Sequence, residues 1–317
     1  MKYLLTGGAG FIGSHFCEFL MKNGHRVVVI DNFNDYYSPR IKKQNVKGFQ
    51  NNPQVELIAG DILDTELLDR IFEQHEFDAI VHLAARAGVR PSLSQPMLYE
   101  RVNIQGTMEL LERAKIYNTP KFVMASSSSV YGNNKKVPFS EDDPVDNPIS
   151  PYAATKKACE LVGYTYHHLY EMNITCLRFF TVYGPRQRPD MAIHKFTKLI
   201  AKGEPIPVYG DGTTRRDYTF ITDIVNGIAK SVENCDGYHI YNLGESRTIE
   251  LHALIALIEE SYGKKAIIDR QPMQPGDVNC TYADISKARN QIGYNPTVDI
   301  RDGIPQFVDW FKTNQTH

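Results

Sequence analysis

Tyr152 and Lys156 stand four residues apart in the segment Ser150-Pro151-Tyr152-Ala153-Ala154-Thr155-Lys156. Pro151 suits the first position of a helix, and the alanines after it propagate one. The phenol and the ammonium then share a helical face about one turn apart. An ammonium held near a phenol favours the ionised form of the phenol. A tyrosine so placed can take the proton of an alcohol while the alcohol carbon loses hydride to a nicotinamide. The pattern is short, and a surface helix with a chance Tyr/Lys pair would carry the same letters. Upstream, the hydroxyl run Ser126-Ser127-Ser128-Ser129 directly follows the apolar strand Phe122-Val123-Met124-Ala125, which puts it at a sheet edge.

The N-terminus has the pattern of a dinucleotide site. Lys2-Tyr3-Leu4-Leu5 reads as a strand running into Thr6-Gly7-Gly8-Ala9-Gly10-Phe11-Ile12-Gly13, and an amphipathic helix with Phe16, Phe19 and Leu20 follows. Gly7 permits the tight turn, Gly10 lets a pyrophosphate approach the backbone, and Gly13 lets the helix pack closely on the sheet. The helix N-terminus, with Phe11 and Ile12, would face the phosphates. Arg26-Val27-Val28-Val29-Ile30-Asp31 is a β-branched strand ending in an acid about 20 residues after the glycines. Asp31 would accept hydrogen bonds from an adenine-ribose diol and repel a 2′-phosphate, which favours NAD over NADP. A glycine-rich turn with a capping aspartate is the plainer alternative, and the strand–turn–helix–strand context disfavours it.

These groups need a scaffold, and the chain alternates strand and helix in the way that builds one. Val55–Asp61 reads as a third strand, with Asp61-Ile62 beside the adenine. Ala79–Ala85 is a fourth, ending in small residues where a dinucleotide could pass, and Thr175–Phe179 a sixth after Phe122–Ala125. Such alternation implies an α/β fold: a Rossmann-like, doubly wound parallel sheet with ligands at the carboxyl ends of its strands. His82 is mid-strand and reads as a packed core histidine; His167 and His168 suit a structural or interface role. Beyond Phe180 the texture changes. Glycine, proline, arginine and tyrosine cluster in 181–189, in Tyr209-Gly210-Asp211-Gly212 and in Arg215-Arg216-Asp217-Tyr218. Arginines such as Arg188 and Arg216 in these loops suit a phosphorylated substrate held by bidentate contacts, or else lie on the surface. A further strand at Ile240–Gly244, a helix at Leu251–Tyr262 and a closing helix around Phe307–Phe311 complete the reading. The expected division is a dinucleotide domain over 1–180, with a strand returning near 238–244, and a smaller α/β substrate region over 181–317 interleaved with it.

Composition excludes several classes. The chain has 317 residues, a formal net charge of −2 and a sequence pI of about 6.6, so it presents no basic field for nucleic acid or an anionic membrane. Five scattered cysteines form no Cys-x-x-Cys pair and suggest neither a disulfide framework nor a metal site. The opening strand leaves no room for a signal peptide, and no apolar run approaches the roughly 20 residues of a membrane helix. A soluble cytoplasmic protein is expected.

Taken in order, these motifs resemble the extended short-chain dehydrogenase/reductase family, and within it the nucleotide-sugar epimerases and dehydratases. The resemblance runs essentially end to end. It is carried by Gly7/Gly10/Gly13, Asp31-Asn32, Asp61-Ile62, Leu83-Ala84-Ala85, Asn103-Ile104-Gln105-Gly106-Thr107, the serines before Val130-Tyr131-Gly132, and Tyr152/Lys156. It implies NAD held by the glycine loop, Asp31, Asn32, Asp61, Ile62, Leu83, Ala84, Ala85 and Asn103. It implies a UDP-sugar in the C-terminal region, and a homodimer packed through helices at about Pro96–Tyr117 and Tyr152–Glu171. Tyr152 would be the catalytic base and Lys156 would bind the nicotinamide ribose and tune it. Ser127, three residues before Val130, would bond the reacting sugar oxygen. Arg216 matches a pyrophosphate-binding position, and Tyr209 one lying against uracil.

Finer features resemble UDP-glucuronate 4-epimerases more than UDP-galactose 4-epimerases: 31–37, Ala87-Gly88-Val89-Arg90, Arg178–Ala192, and Met273-Gln274-Pro275-Gly276-Asp277-Val278, where Asp277 is counted with the substrate contacts. Arg86 departs from that group, in which glutamine is usual. Oxidising C4 of a uronic acid gives a β-keto acid that loses CO2 once its C5–C6 bond aligns with the carbonyl π system. Ser127, Ser128, Ser129 and Thr181 could hold the carboxylate out of that alignment. Decarboxylating relatives carry glutamate where Ser129 stands, and dehydratases an Asp-Glu pair in the serine segment. Alternatives are 4-epimerisation of UDP-glucose or UDP-N-acetylglucosamine, or a catalytically silent NAD-binding protein. Intact Ser127, Tyr152 and Lys156 argue against the last.

Overall fold

Runs of β-branched and apolar residues buried on both faces give strands that need helices above and below. The structure, a computed structural model, describes residues 1–272 and 279–314. In chain order the first half runs β1 (Lys2–Thr6), α1 (Phe11–Lys22), β2 (Arg26–Asp31), α2 (Pro39–Val46), β3 (Val55–Ala59), α3 (Thr65–Gln74), β4 (Ala79–His82), α4 (Val89–Ser94), α5 (Pro96–Tyr99), α6 (Gly106–Ile116), β5 (Phe122–Ser127), α7 (Pro151–Tyr170) and β6 (Ile174–Phe179). The second half adds β7 (Thr181–Tyr183), α8 (Ala192–Lys202), β8 (Pro205–Tyr209), β9 (Arg215–Arg216), β10 (Tyr218–Phe220), α9 (Ile221–Glu233), β11 (Tyr238–Leu243), β12 (Ile249–Glu250), α10 (Leu251–Tyr262), β13 (Ile267–Gln271), α11 (Ser286–Ile292) and α12 (Ile300–Asn314).

Seven strands form one parallel sheet in the order β11-β6-β5-β4-β1-β2-β3. Strand parity sorts its core. Leu5, Val27, Val29, Val81 and Val123 face Phe16, Leu20, Ile224 and Ile228 of α1 and α9. Leu4, Val28, Ile80, Phe122 and Met124 face Leu68, Ile71, Leu110, Leu111 and Cys159 of α3, α6 and α7. The Rossmann-like, doubly wound sheet expected from the alternation is therefore present, and β11 returns to it beside β6 from Tyr238↔Ile174 to Leu243↔Phe179. The remaining strands pair in twos: β7 with β10, β9 with β12, and β8 with β13.

Several boundaries differ from the sequence reading. β4 stops at His82, and Leu83–Ala85 leave the sheet. The neighbouring Thr6 ends the ladder, because its Oγ1 accepts from the Ala84 N–H at 3.1 Å and bonds His82 Nδ1 at 2.7 Å. The third strand likewise stops at Ala59 rather than Asp61. The helix expected over 96–117 is broken by a π-helical turn, Glu100–Gln105. That turn carries the buried Asn103, whose side chain bonds Arg86 and Thr155, so an inserted residue there serves packing across elements. The closing helix spans Ile300–Asn314 with Pro305 near its start, and Asp299 Oδ1 accepts from the Arg301 N–H at 2.9 Å. Among the described residues no helix is long and apolar enough to cross a membrane.

Candidate active site

The Ser150 hydroxyl caps α7 by accepting from the Ala153 N–H at 3.1 Å, with Pro151 at the first helical position. This fixes where α7 begins and aims Tyr152 and Lys156 along the carboxyl edge of the sheet. The Lys156 ammonium, 5% exposed, donates to the Ala125 carbonyl at 2.7 Å. The Tyr152 ring meets Tyr99 edge to face, centroids 6.1 Å apart. At the end of β5 the Ser127 Oγ accepts from both the N–H and the Oγ of Ser129, at 3.2 and 2.8 Å. With both bonds accepted, the Ser127 hydroxyl has its proton left to donate. The hydroxyl of Ser126, the first of the run, is committed elsewhere: it donates to buried Glu160 at 2.6 Å.

The glycine loop fits a dinucleotide. Gly7 has φ +71°, and a Cβ there would stand 2.7 Å from the Ala84 nitrogen; a Cβ at Gly13 would stand 2.2 Å from the Gly7 carbonyl oxygen. No side chain caps the N-terminus of α1, so its first N–H groups are available to an anion. Asp31, 7% exposed, accepts from the backbone N–H of Ala9 at 3.1 Å and of Phe33 at 2.8 Å. Asn32 donates to Asp61 at 2.8 Å.

One cleft of about 830 Å³ joins these parts. It is lined by Gly7, Gly10, Phe11, Ile12, Gly13, Asp31, Asn32, Asp61, Ile62, Leu83, Ala84 and Ala85 on one side. Ser127, Ser128, Ser129, Tyr152, Lys156, Thr181, Arg188, Tyr209 and Arg216 line the other. Asn103 is 1% exposed, and its amide bonds the Arg86 N–H (2.7 Å), the Arg86 carbonyl (3.0 Å) and Thr155 Oγ1 (3.0 Å), so it holds the loop after β4 against α7. Asp277, with the rest of 273–278, lies outside the described residues. His82 is a core histidine bonded to Thr6 and Thr107; burial, then the Lys156 charge, pushes its pKa down to about 3. It is neutral at physiological pH.

Three features escaped the sequence reading. Lys42 is 5% exposed with its ammonium 3.8 Å from Asp31, a burial that the polar sequence of α2 gave no sign of. Two guanidinium groups approach the Tyr36 ring, Arg188 at 5.3 Å and Arg86 at 5.9 Å from its centroid. Arg188 is in turn held by a two-bond contact to Asp190, at 3.0 and 2.8 Å. Across the cleft mouth, Arg90 lies over the Tyr209 ring at 4.7 Å.

A parallel sheet whose carboxyl edge presents a glycine-loop cradle, a Tyr–Lys helix face and a serine at the next strand end defines an extended short-chain dehydrogenase/reductase. Within that class the chain belongs to the GDP-mannose 4,6-dehydratase family, which it matches over residues 4–307. It is 44% identical to the UDP-glucuronate 4-epimerase of Thermodesulfobacterium geofontis, over 98% of this chain and 96% of that one. UDP-glucuronate 4-epimerase 1 of Arabidopsis thaliana is also 44% identical, over 98% of this chain and 76% of the plant protein. The UDP-glucuronic acid 4-epimerase of Bacillus cereus, solved with UDP-glucuronic acid and NAD, superposes with a TM-score of 0.92 at 38% identity, covering 99% of each chain. The UDP-glucose 4-epimerase of Thermotoga maritima, solved with UDP-glucose, gives 0.92 at 33% identity over 99% of this chain and 100% of that one.

Proposed function

We propose that the protein inverts C4 of UDP-glucuronate to give UDP-galacturonate, with NAD retained in the cleft. The observation that carries this reading is the meeting of Tyr152, Lys156 and Ser127 in one cleft whose adjoining wall, Ser127–Ser129 and Thr181, consists of hydroxyls. Tyr152 takes the proton of the C4 hydroxyl, Ser127 donates its hydroxyl proton in a hydrogen bond to the same oxygen, and Lys156 sets its ammonium one helical turn from the phenol, its position fixed by Ala125. The residues suited to hold NAD are the glycine loop, Asp31, Asn32, Asp61, Ile62 and Leu83–Ala85. When bound, NAD supplies a reversible hydride acceptor beside C4.

Once C4 is a ketone, Arg216 and Tyr209 keep the UDP end anchored while the sugar turns and presents its other face. During that interval the Ser129 N–H and hydroxyl hold Ser127 in place, while Ser128, Thr181 and Arg188 keep the carboxylate away from alignment with the carbonyl, so CO2 is retained. Both proton and hydride return, so there is no net oxidation, and positioning supplies most of the rate. Incubating the protein separately with UDP-glucuronate and UDP-glucose and resolving the products tests the reading. UDP-galacturonate without CO2 supports it; conversion of UDP-glucose alone overturns it.

The assembly proposed is a homodimer. Met97 and Met108 are 75% and 41% exposed, and Leu161, Tyr164 and Leu169 on α7 are 56%, 53% and 59% exposed. Large apolar groups at this density suit a second copy. A monomeric mass in sedimentation equilibrium would refute it. A cytoplasmic site is consistent with five free cysteines, four of them buried.

A further inference from the structure

Tyr152, Lys156 and Glu160 follow one another at i, i+4 steps down a single face of α7. The lower two are tied to consecutive residues of β5: Lys156 Nζ donates to the Ala125 carbonyl at 2.7 Å, and Glu160 Oε1 accepts from Ser126 Oγ at 2.6 Å. Ser127 is the next residue along. A buried carboxylate one helical turn from a buried ammonium would ordinarily cancel much of its field, because little water screens either. Glu160 is 1% exposed, yet its charge is spent elsewhere. Arg178 on β6, also 1% exposed, grips it with two bonds, Nε to Oε1 and Nη2 to Oε2, both 2.8 Å. The third arm of Arg178 donates to Tyr131 Oη at 3.0 Å, and Tyr131 donates on to Asn242 at 2.7 Å. Burial works to raise the Glu160 pKa, but the bonds and charge of Arg178 outweigh it and hold the carboxylate below its ordinary value.

We propose that Arg178 is the counterweight that keeps Glu160 from neutralising Lys156, so that the full ammonium field reaches Tyr152. Arg178 and Glu160 are thus tuning residues for proton transfer that touch neither substrate nor cofactor. This rests on Tyr152 being the base. The other charged and titratable groups around the stripe are few. Lys157 Nζ approaches Glu160 Oε2 at 3.4 Å from the outer side of α7. Cys159 and Cys176 are thiols whose pKa burial raises, and His82 on β4 is neutral. Tyr238 on β11 donates to the Glu160 carbonyl at 2.8 Å, and Glu141 faces the far side of Arg178. Tyr99 packs against Tyr152, and Arg188 lies on the cleft side of it.

The test is the acid limb of the kcat–pH profile of the holoenzyme. Arg178→Gln leaves the Glu160 anion unopposed and should move that limb up by about one pH unit, as a unit charge some 10 Å away does in a partly buried site. Glu160→Gln leaves the Arg178 cation unopposed and should move it down by a similar amount. The double variant should restore the original midpoint, and Arg178→Lys, which keeps the charge, should leave it in place. A purely structural role would lower activity in both single variants without opposite shifts. Single-variant limbs that stay put or move in the same direction overturn the proposal. If a lone buried charge prevents either single variant from folding, a displaced midpoint in the doubly neutral variant, or in Arg178→Lys, overturns it instead. Tyr152→Phe is measured alongside: retained turnover there refutes the base assignment, not the counterweight.

Discussion

Lys156 donates its 2.7 Å bond to the carbonyl of Ala125, two residues before Ser127, so the lysine that faces the phenol also fixes the strand end that presents the serine. The helix and the strand are joined at the point where proton transfer is proposed. A substitution at Lys156 therefore acts twice, once through charge and once through geometry.

Tyr152→Phe should leave the fold and dinucleotide binding intact, since the ring packs edge-on against Tyr99, a contact that Phe preserves. Turnover should fall by about 10³-fold or more, within the range general-base removal produces together with lost orientation. Lys156→Met should lose at least as much kcat and also weaken retained NAD. Bound nucleotide measured by absorbance after gel filtration, beside product formation, separates the two variants.

Arg86 and Arg188 both lie against the Tyr36 ring, while its hydroxyl reaches Asp190 at 3.4 Å. The ring therefore matters more than the hydroxyl. Cation–π contacts of this kind are worth about 0.5–2 kcal/mol, whereas so long a hydrogen bond adds little. Tyr36→Phe should keep near-normal kcat/KM for UDP-glucuronate. Tyr36→Ala should lower it roughly tenfold by freeing Arg188, a loss of about 1.4 kcal/mol. Equal losses in both variants would disprove the ring's role.

The hydroxyl wall makes a prediction about side reaction. Thr181→Val keeps the shape of β7 but removes one donor, and Ser128→Ala removes another. Each should raise CO2 release per UDP-galacturonate formed, with the double variant exceeding either single one. Trapped radiolabelled CO2 from carboxyl-labelled substrate gives the ratio. An unchanged ratio in the double variant would remove these hydroxyls from control of the carboxylate.

The sheet was legible in the sequence because its strands are short, β-branched and punctuated by glycine; Arg26–Asp31 and Leu251–Tyr262 have the same bounds in both readings. The glycine loop and the Tyr/Lys pair were legible for a similar reason: their spacing alone fixes their relative positions. The bracing of the Arg86 loop by Asn103 was not, because that residue lies in a π-helical turn that no hydrophobic period announces. Ser126 and Ser127 look alike in sequence, yet strand alternation sends the Ser126 hydroxyl to Glu160 and leaves that of Ser127 with Ser129. The cluster of Arg86, Tyr36 and Arg188 joins residues up to 152 positions apart, and local pattern carries no trace of such a contact.

Two buried carboxylates behind the substrate region make a prediction about stability and pH. Burial pushes both Asp217 and Glu245 up to about 7, with the Asp223 and Asp217 charges adding to the effect on Glu245. They differ in partners. Asp217 accepts from the N–H groups of Glu245 (2.8 Å), Ser246 (3.0 Å) and Ala283 (3.1 Å), so it ties three segments together. Glu245 is 8% exposed and its Oε2 has no partner. A carboxyl whose folded pKa is raised contributes stability that is complete below its unfolded pKa, near 4, and lost as pH rises through about 7. Glu245→Gln removes that loss, and should stabilise the protein above pH 7 by about 1 kcal/mol, the figure reduced for partial solvent screening. At pH 5 the same variant should be nearly neutral. Asp217→Ala, in contrast, strands three backbone donors and should destabilise at every pH, by about 3 kcal/mol or more. Thermal melts of the three proteins between pH 5 and pH 8 decide the matter: a Glu245→Gln variant less stable than the parent at pH 8 would show that its carboxylate is satisfied there.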